Sequence, residues 1–179
     1  MKLNKSFFNQ PTLKVAEDLL GKKLVFNDFV GEINETEAYI GKDDPACHAA
    51  VGKTPRNAVM FGPPGFSYVY FIYGMYFCLN IVTEKEGFPA AVLIRGVKPL
   101  SNIEKMIENR KMKDIKNLTN GPGKLCQAFG INKDQNGINI CKCNDFYIQD
   151  SKFKPEQIVK TPRIGIKEGT NLLYRFVVK

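Results

Sequence analysis

The stretch Phe66–Val82 constrains the fold more than any other. Nearly every residue in it is aromatic or aliphatic, and one glycine, Gly74, interrupts it midway. Aromatic and β-branched side chains suit a pleated, half-buried surface, and an internal glycine marks a bend. The stretch therefore reads as two strands bent at Gly74, which need a larger sheet to join. Lys23–Phe26 and Phe29–Ile40, separated by a short polar turn, and Ala90–Val97 are further strand-like runs. Helical patterning appears in three places. Pro11–Leu20 carries a stripe of Leu13, Val15, Ala16, Leu19 and Leu20 ahead of Gly21. Leu100–Lys111 sets Ile103, Met106 and Ile107 on one side, and Asn120–Phe129 is shorter. Phe146–Ile148, Arg163–Ile166 and Leu172–Val178 read as short strands. Strands here do not alternate with helices, and no glycine-rich dinucleotide or phosphate loop is present. The expectation is an α+β single domain over residues 1–179, with a curled, mostly antiparallel, open-barrel-like sheet and peripheral helices.

Charge narrows the partners. Lys and Arg number 26 against 18 Asp and Glu, a formal net charge of +8, which suits a polyanion such as nucleic acid but equally an ordinary basic protein. The five cysteines are odd in number and contain no Cys-x-x-Cys pair; Cys141-Lys142-Cys143 has no matching second pair, and His48 is the only histidine. Reduced thiols are expected rather than a zinc site. No apolar run near Met1 is long enough for a secretory signal, and none elsewhere reaches membrane-span length. A cytosolic compartment is expected.

Several residues stand out chemically. In Glu35-Thr36-Glu37-Ala38-Tyr39, strand alternation puts Glu35, Glu37 and Tyr39 on one face. A carboxylate there can serve as an acid or base in a pocket, or the two glutamates can simply face solvent. Tyr68 and Tyr70 share a face of the aromatic run, and Tyr73, beside the bend, falls at a rim where it can stack on bases or wedge between them; plain core packing is the alternative. Asn80, between Leu79 and Ile81, either pairs with backbone or faces a ligand pocket. Arg95, inside an apolar strand, must meet an acid or a cavity, and Glu37 is the obvious partner. His48 lies in the long Gly41–Gly65 loop and can stack on a base. In Asn120-Gly121-Pro122-Gly123-Lys124-Leu125, a helix start with a lysine can hold a phosphate or be no more than a capped, solvated helix.

Taken together, these stretches resemble the alkyladenine (3-methyladenine) DNA glycosylase family of vertebrate and bacterial type. The matching segments, in family order, are Glu35–Gly41, Thr54–Asn57, Tyr68–Asn80, Leu93–Gly96, Gly121–Leu125 and Pro162–Ile166. The resemblance implies an antiparallel β core with peripheral helices, and a monomer acting on double-stranded DNA without metal or organic cofactor. A cytoplasmic, nucleoid-associated place follows if the source is bacterial. It implies base flipping and hydrolysis of the N-glycosidic bond of damaged purines (3-methyladenine, 7-methylguanine, hypoxanthine, ethenoadenine) by an activated water. By the same resemblance Glu37 matches the general base and Arg95 the arginine that helps hold the water. Tyr39, His48 and Tyr70 match the walls around the flipped base, and Tyr73 matches the wedge in the vacated stack. Asn80 matches the side chain that disfavours guanine, and Ile166 a lining of the water site. Arg56, in the matched Thr54–Asn57 segment, and Lys124 are read as DNA-backbone contacts. After Ile166 the sequence Lys167–Leu172 departs from the family's small aromatic-containing turn. Two other readings are a damage-binding module without catalysis, for which Glu37 has no use, and a domain of a tRNA-modifying enzyme.

Overall fold

The computed structural model describes residues 1–179. Eight strands form one sheet: β1 (Lys23–Phe26), β2 (Phe29–Ile40), β3 (Ser67–Ile72), β4 (Tyr76–Val82), β5 (Ala90–Ser101), β6 (Phe146–Gln149), β7 (Ile158–Thr161) and β8 (Arg175–Val178). The spatial order is β3-β4-β5-β2-β1-β6, with β8 joined to β2 and β7 to β8. Every pairing is antiparallel. The sheet curls into a half-barrel. Its fork lies in β2. The first half of that strand pairs with β1 through Glu32, whereas Glu35–Glu37 pair with β8. Between the two, the register against β5 shifts at Ile33, Glu35 and Thr36. Such an irregularity bends a strand and increases its twist, so β2 can serve two partners on one edge.

Four helices lie around the sheet: α1 (Lys5–Phe8), α2 (Thr12–Asp18), α3 (Ile103–Arg110) and α4 (Pro122–Phe129). The stripe of α2 buries Val15, Ala16 and Leu19 completely, and the Thr36 hydroxyl donates to the Ala16 carbonyl at 2.8 Å. Helix α4 has Pro122 in its first turn and Gly130 at φ +74° after its last, the expected start and stop. Its first turn presses on β4: a Cβ at Gly123 would stand 2.8 Å from the Tyr76 ring. Glycine permits that approach, which brings Lys124 toward β4. Leu125, Ala128 and Phe129 seal the core on the other side.

Differences from the sequence expectations are local. A one-turn helix, α1, is capped by Asn4 accepting from the Phe7 amide. Strand β5 continues past Val97 to Ser101 because β2 pairs with it along that length. Helix α3 starts only at Ile103, after Asn102 turns the chain with φ +53°. Arg163–Ile166 is not a strand. The Arg163 side chain is buried on Asp44 and Gly165 takes φ +76°, so this segment folds over the site, and the strand in this region is Ile158–Thr161. No helix is long and apolar enough to cross a membrane.

Candidate active site

A cavity of about 580 Å³ opens where the β3–β4 hairpin, the ends of β2 and β5, the start of α4 and the loops around Ala46 and Ile166 converge. Tyr39, His48, Tyr70, Tyr73, Asn80, Arg95, Lys124 and Ile166 all line it. Strand alternation explains much of this: Tyr68 and Tyr70 of β3 project to the cavity side, and Asn80 sits opposite Tyr68 in β4. The hairpin closes at Ile72 and Tyr76, leaving Tyr73-Gly74-Met75 as its tip. Tyr73 and Gly74 take successive positive φ values of 55° and 68°. Glycine adopts the second freely; a tyrosine in the first is uncommon. The result is a phenol projecting from the mouth, 73% exposed.

The walls are aromatic and mutually braced. His48 meets Tyr70 edge to face at 4.5 Å between centroids, and its Nδ1 pairs with the Tyr68 hydroxyl at 2.9 Å. Burial, and then the Arg56 charge, push the His48 pKa below its ordinary value, so the imidazole is neutral at pH 7. Burial pushes the Tyr68 phenol up to about 12. Asn80 satisfies both sequence alternatives: its amide donates to the Tyr68 carbonyl at 3.2 Å while it lines the cavity. Arg56 does not line the cavity. It lies behind the wall, 5.4 Å from the Tyr70 ring, and donates to the Phe71 carbonyl. Lys124 stands on the rim and donates to the Asn120 side chain at 2.8 Å.

Glu37 lies one layer deeper, with no exposed surface. Its Oε2 accepts from the Tyr39 hydroxyl at 2.8 Å and its Oε1 from the Ile164 amide at 2.8 Å, with Arg95 Nη1 at 3.4 Å. Tyr39, Arg95 and Ile164 all reach the cavity surface. Desolvation raises the Glu37 pKa above the usual carboxylate range, against the opposing pull of Arg95, the Ile164 amide and Tyr39. The chain thus holds a buried, basic carboxylate beside a cavity, an arrangement suited to accepting a proton.

The sequence named Glu37 as the partner of Arg95. The closer partner is Glu35, whose Oε1 accepts from Arg95 Nε at 2.8 Å and from Arg175 Nε at 2.6 Å. Glu35 was visible on the shared face, but Arg175 needed the pairing of β8 with β2. Also unread was a buried ion pair, Asp44 with Arg163, 119 residues apart; no local pattern distinguishes Asp44 from a solvated loop aspartate.

A sequence model described as methylpurine-DNA glycosylase matches residues 6–179. A protein of Sodalis glossinidius named "Putative 3-methyladenine DNA glycosylase" is 55% identical over 174 residues, covering 97% of this chain and 95% of its own. Proteins of the same name from Ehrlichia chaffeensis and Wolbachia pipientis wMel are 54% and 52% identical, covering 98% and 97% of this chain and 92% and 89% of their own. The chain belongs to the methylpurine-DNA glycosylase family, monofunctional DNA glycosylases of base excision repair that hydrolyse N-glycosyl bonds.

Proposed function

We propose that residues 1–179 act as a single catalytic domain, a monomer that extrudes a damaged purine nucleotide from double-stranded DNA and hydrolyses its N-glycosidic bond, leaving an abasic site. The substrates are 3-methyladenine, 7-methylguanine, hypoxanthine and ethenoadenine lesions, and the setting is the cytoplasm, at the nucleoid if the source is bacterial. The observation that carries this reading is Glu37: a fully buried carboxylate of raised pKa behind an aromatic cavity whose mouth bears a protruding tyrosine.

A base inside a duplex is out of reach, and extruding it costs a few kcal/mol. Tyr73 fills the vacated stack and offsets part of that. Tyr39, His48 and Tyr70 hold the flipped base; their faces favour an electron-poor, positively charged alkylpurine. Asn80 crowds the exocyclic amine of guanine. As the bond breaks the sugar carbon becomes cationic. Water admitted between Arg95, Ile166 and the Glu37 carboxylate gives its proton to Glu37 and its oxygen to that carbon. For neutral purines the departing base needs hydrogen-bond help, and a neutral His48, in the tautomer whose Nδ1 accepts from the Tyr68 hydroxyl, offers its Nε2–H as a hydrogen-bond donor to that base. Lys124 and Arg56 meet the DNA backbone.

The test is release of free base from duplexes carrying each lesion, with the strand scored separately. Expected are free purine and an intact strand that breaks only under alkali. Tight lesion binding with no base released would overturn the reading for these lesions.

A further inference from the structure

The Asp44–Arg163 pair lies where it can govern Glu37 without touching it. Arg163 Nη1 donates to Asp44 Oδ2 at 2.5 Å and Nη2 to Asp44 Oδ1 at 2.6 Å, a bidentate fork, and Nη1 also donates to the Ala38 carbonyl at 2.9 Å. Ala38 is the residue between Glu37 and Tyr39. The guanidinium lies 4.7 Å from the Tyr39 ring and 5.3 Å from that of Tyr174. The next residue along, Ile164, gives its amide to Glu37. At the other end Asp44 accepts from the amides of Ile40 and Ala46, each at 3.1 Å, which folds the chain leaving β2 back toward His48. Neither charged side chain has more than 2% exposure.

We propose that Arg163, locked by Asp44, is a positioning residue for Glu37. It grips the strand between Glu37 and Tyr39, braces the phenol that bonds one carboxylate oxygen, and presents the Ile164 amide to the other. This rests on the reading of Glu37 as the base. The pair is poorly explained as a stabilising device alone. A buried ion pair is often no better than apolar residues of similar volume, and here Arg163 Nε is left without a partner. Its geometry instead ties together three segments that meet at one carboxylate. Lysine keeps the charge but not the planar fork, so charge and geometry are separable.

The experiment compares wild type, Arg163→Lys, Asp44→Asn and Glu37→Gln in single-turnover release of hypoxanthine across pH, with lesion-duplex Kd and melting temperature measured alongside. The groups facing Glu37 are Glu35 and Tyr39 on β2, Arg95 on β5, Cys78 on β4, and Arg163 with the Ile164 amide on the covering segment; Arg175 of β8 reaches it through Glu35. Of these, only the Arg163 contacts and what they hold change in the first two variants. The expected result is a maximal rate lowered about 10–100-fold, as for small misplacements of a reacting group. Lesion affinity stays within about threefold, and the acid limb of the rate profile moves up by about one pH unit, because a carboxylate that loses a donor gains proton affinity. An unmoved limb with a rate near wild type overturns the proposal, as does a rate per folded molecule equal to wild type. If both variants fail to fold, amide exchange in the wild-type protein decides. An Ile164 amide protected like those of β2 supports the clamp; one exchanging at the rate of an open loop overturns it. Release retained by Glu37→Gln overturns the underlying reading instead, whereas release lost there but unaltered in Arg163→Lys and Asp44→Asn overturns the clamp alone.

Discussion

Tyr39→Phe removes one oxygen and leaves the ring that faces the cavity. That oxygen donates to Glu37 Oε2 at 2.8 Å in a buried setting, and a hydrogen bond to a charged acceptor contributes about 1.5–3 kcal/mol. The bond favours the ionised carboxylate. Its loss should raise the Glu37 pKa, already lifted by burial, by about 1–2 units at roughly 1.36 kcal/mol per unit. The sign of the stability effect follows. Above the mutant's Glu37 pKa the carboxylate is charged in both proteins and the mutant lacks the full bond. As pH falls through the wild-type value Glu37 protonates in both, and the difference shrinks. The melting temperature should therefore drop by about 3–12 °C at pH 8, taking about 2–4 °C per kcal/mol for a chain of this size, and by much less at pH 4. The same change should move the acid limb of single-turnover base release upward by about 1–2 pH units, with lesion affinity little altered because the aromatic face remains. Release at fixed lesion concentration between pH 4.5 and 9, with melting curves in the same buffers, measures both. An unmoved limb, or a melting loss equal at pH 4 and pH 8, would refute the coupling of Tyr39 to a carboxylate that titrates in the working range.

Tyr73→Ala should lower affinity for lesion duplex about 5–150-fold, the equivalent of about 1–3 kcal/mol of stacking, while binding to undamaged duplex stays as it was; an equal loss on both would deny Tyr73 the wedge role. Lys124→Ala should reduce the slope of log affinity against log salt by about one, read from a salt titration of lesion-duplex binding, and an unchanged slope would remove Lys124 from the backbone contacts. Phe129→Ala empties a fully buried site beside Phe29, so it should cost about 3–5 kcal/mol and about 6–20 °C in melting temperature, with the release rate per folded molecule preserved.

What the sequence made legible and what it hid have separate causes. The Phe66–Val82 hairpin, its break at Gly74 and the exposed Tyr73 follow from local rules, because period-two aromatic patterning and one glycine say where a strand must turn. The shared face of Glu35, Glu37 and Tyr39 survives the bulge in β2, and all three join one network. Arg95 does meet Glu37, as its place in an apolar strand requires, but strand alternation does not rank the two glutamates, and Glu35 takes the shorter contact. Arg163–Ile166 looked like a strand by composition. Its conformation is instead dictated by Asp44 and Glu37, residues more than a hundred positions away. The same holds for β7, where Ile158–Thr161 is too short and too polar in its surroundings to stand out until β8 pairs with it. Long-range pairing, not propensity, decides each of these.

The central claim is that Glu37 is the base that activates water, and single-turnover base release by wild type and Glu37→Gln tests it most directly, with lesion-duplex Kd measured for both. The account predicts that release falls by orders of magnitude in the mutant while Kd stays close to wild type. Release persisting at a near wild-type rate in a folded, DNA-binding Glu37→Gln protein would contradict it.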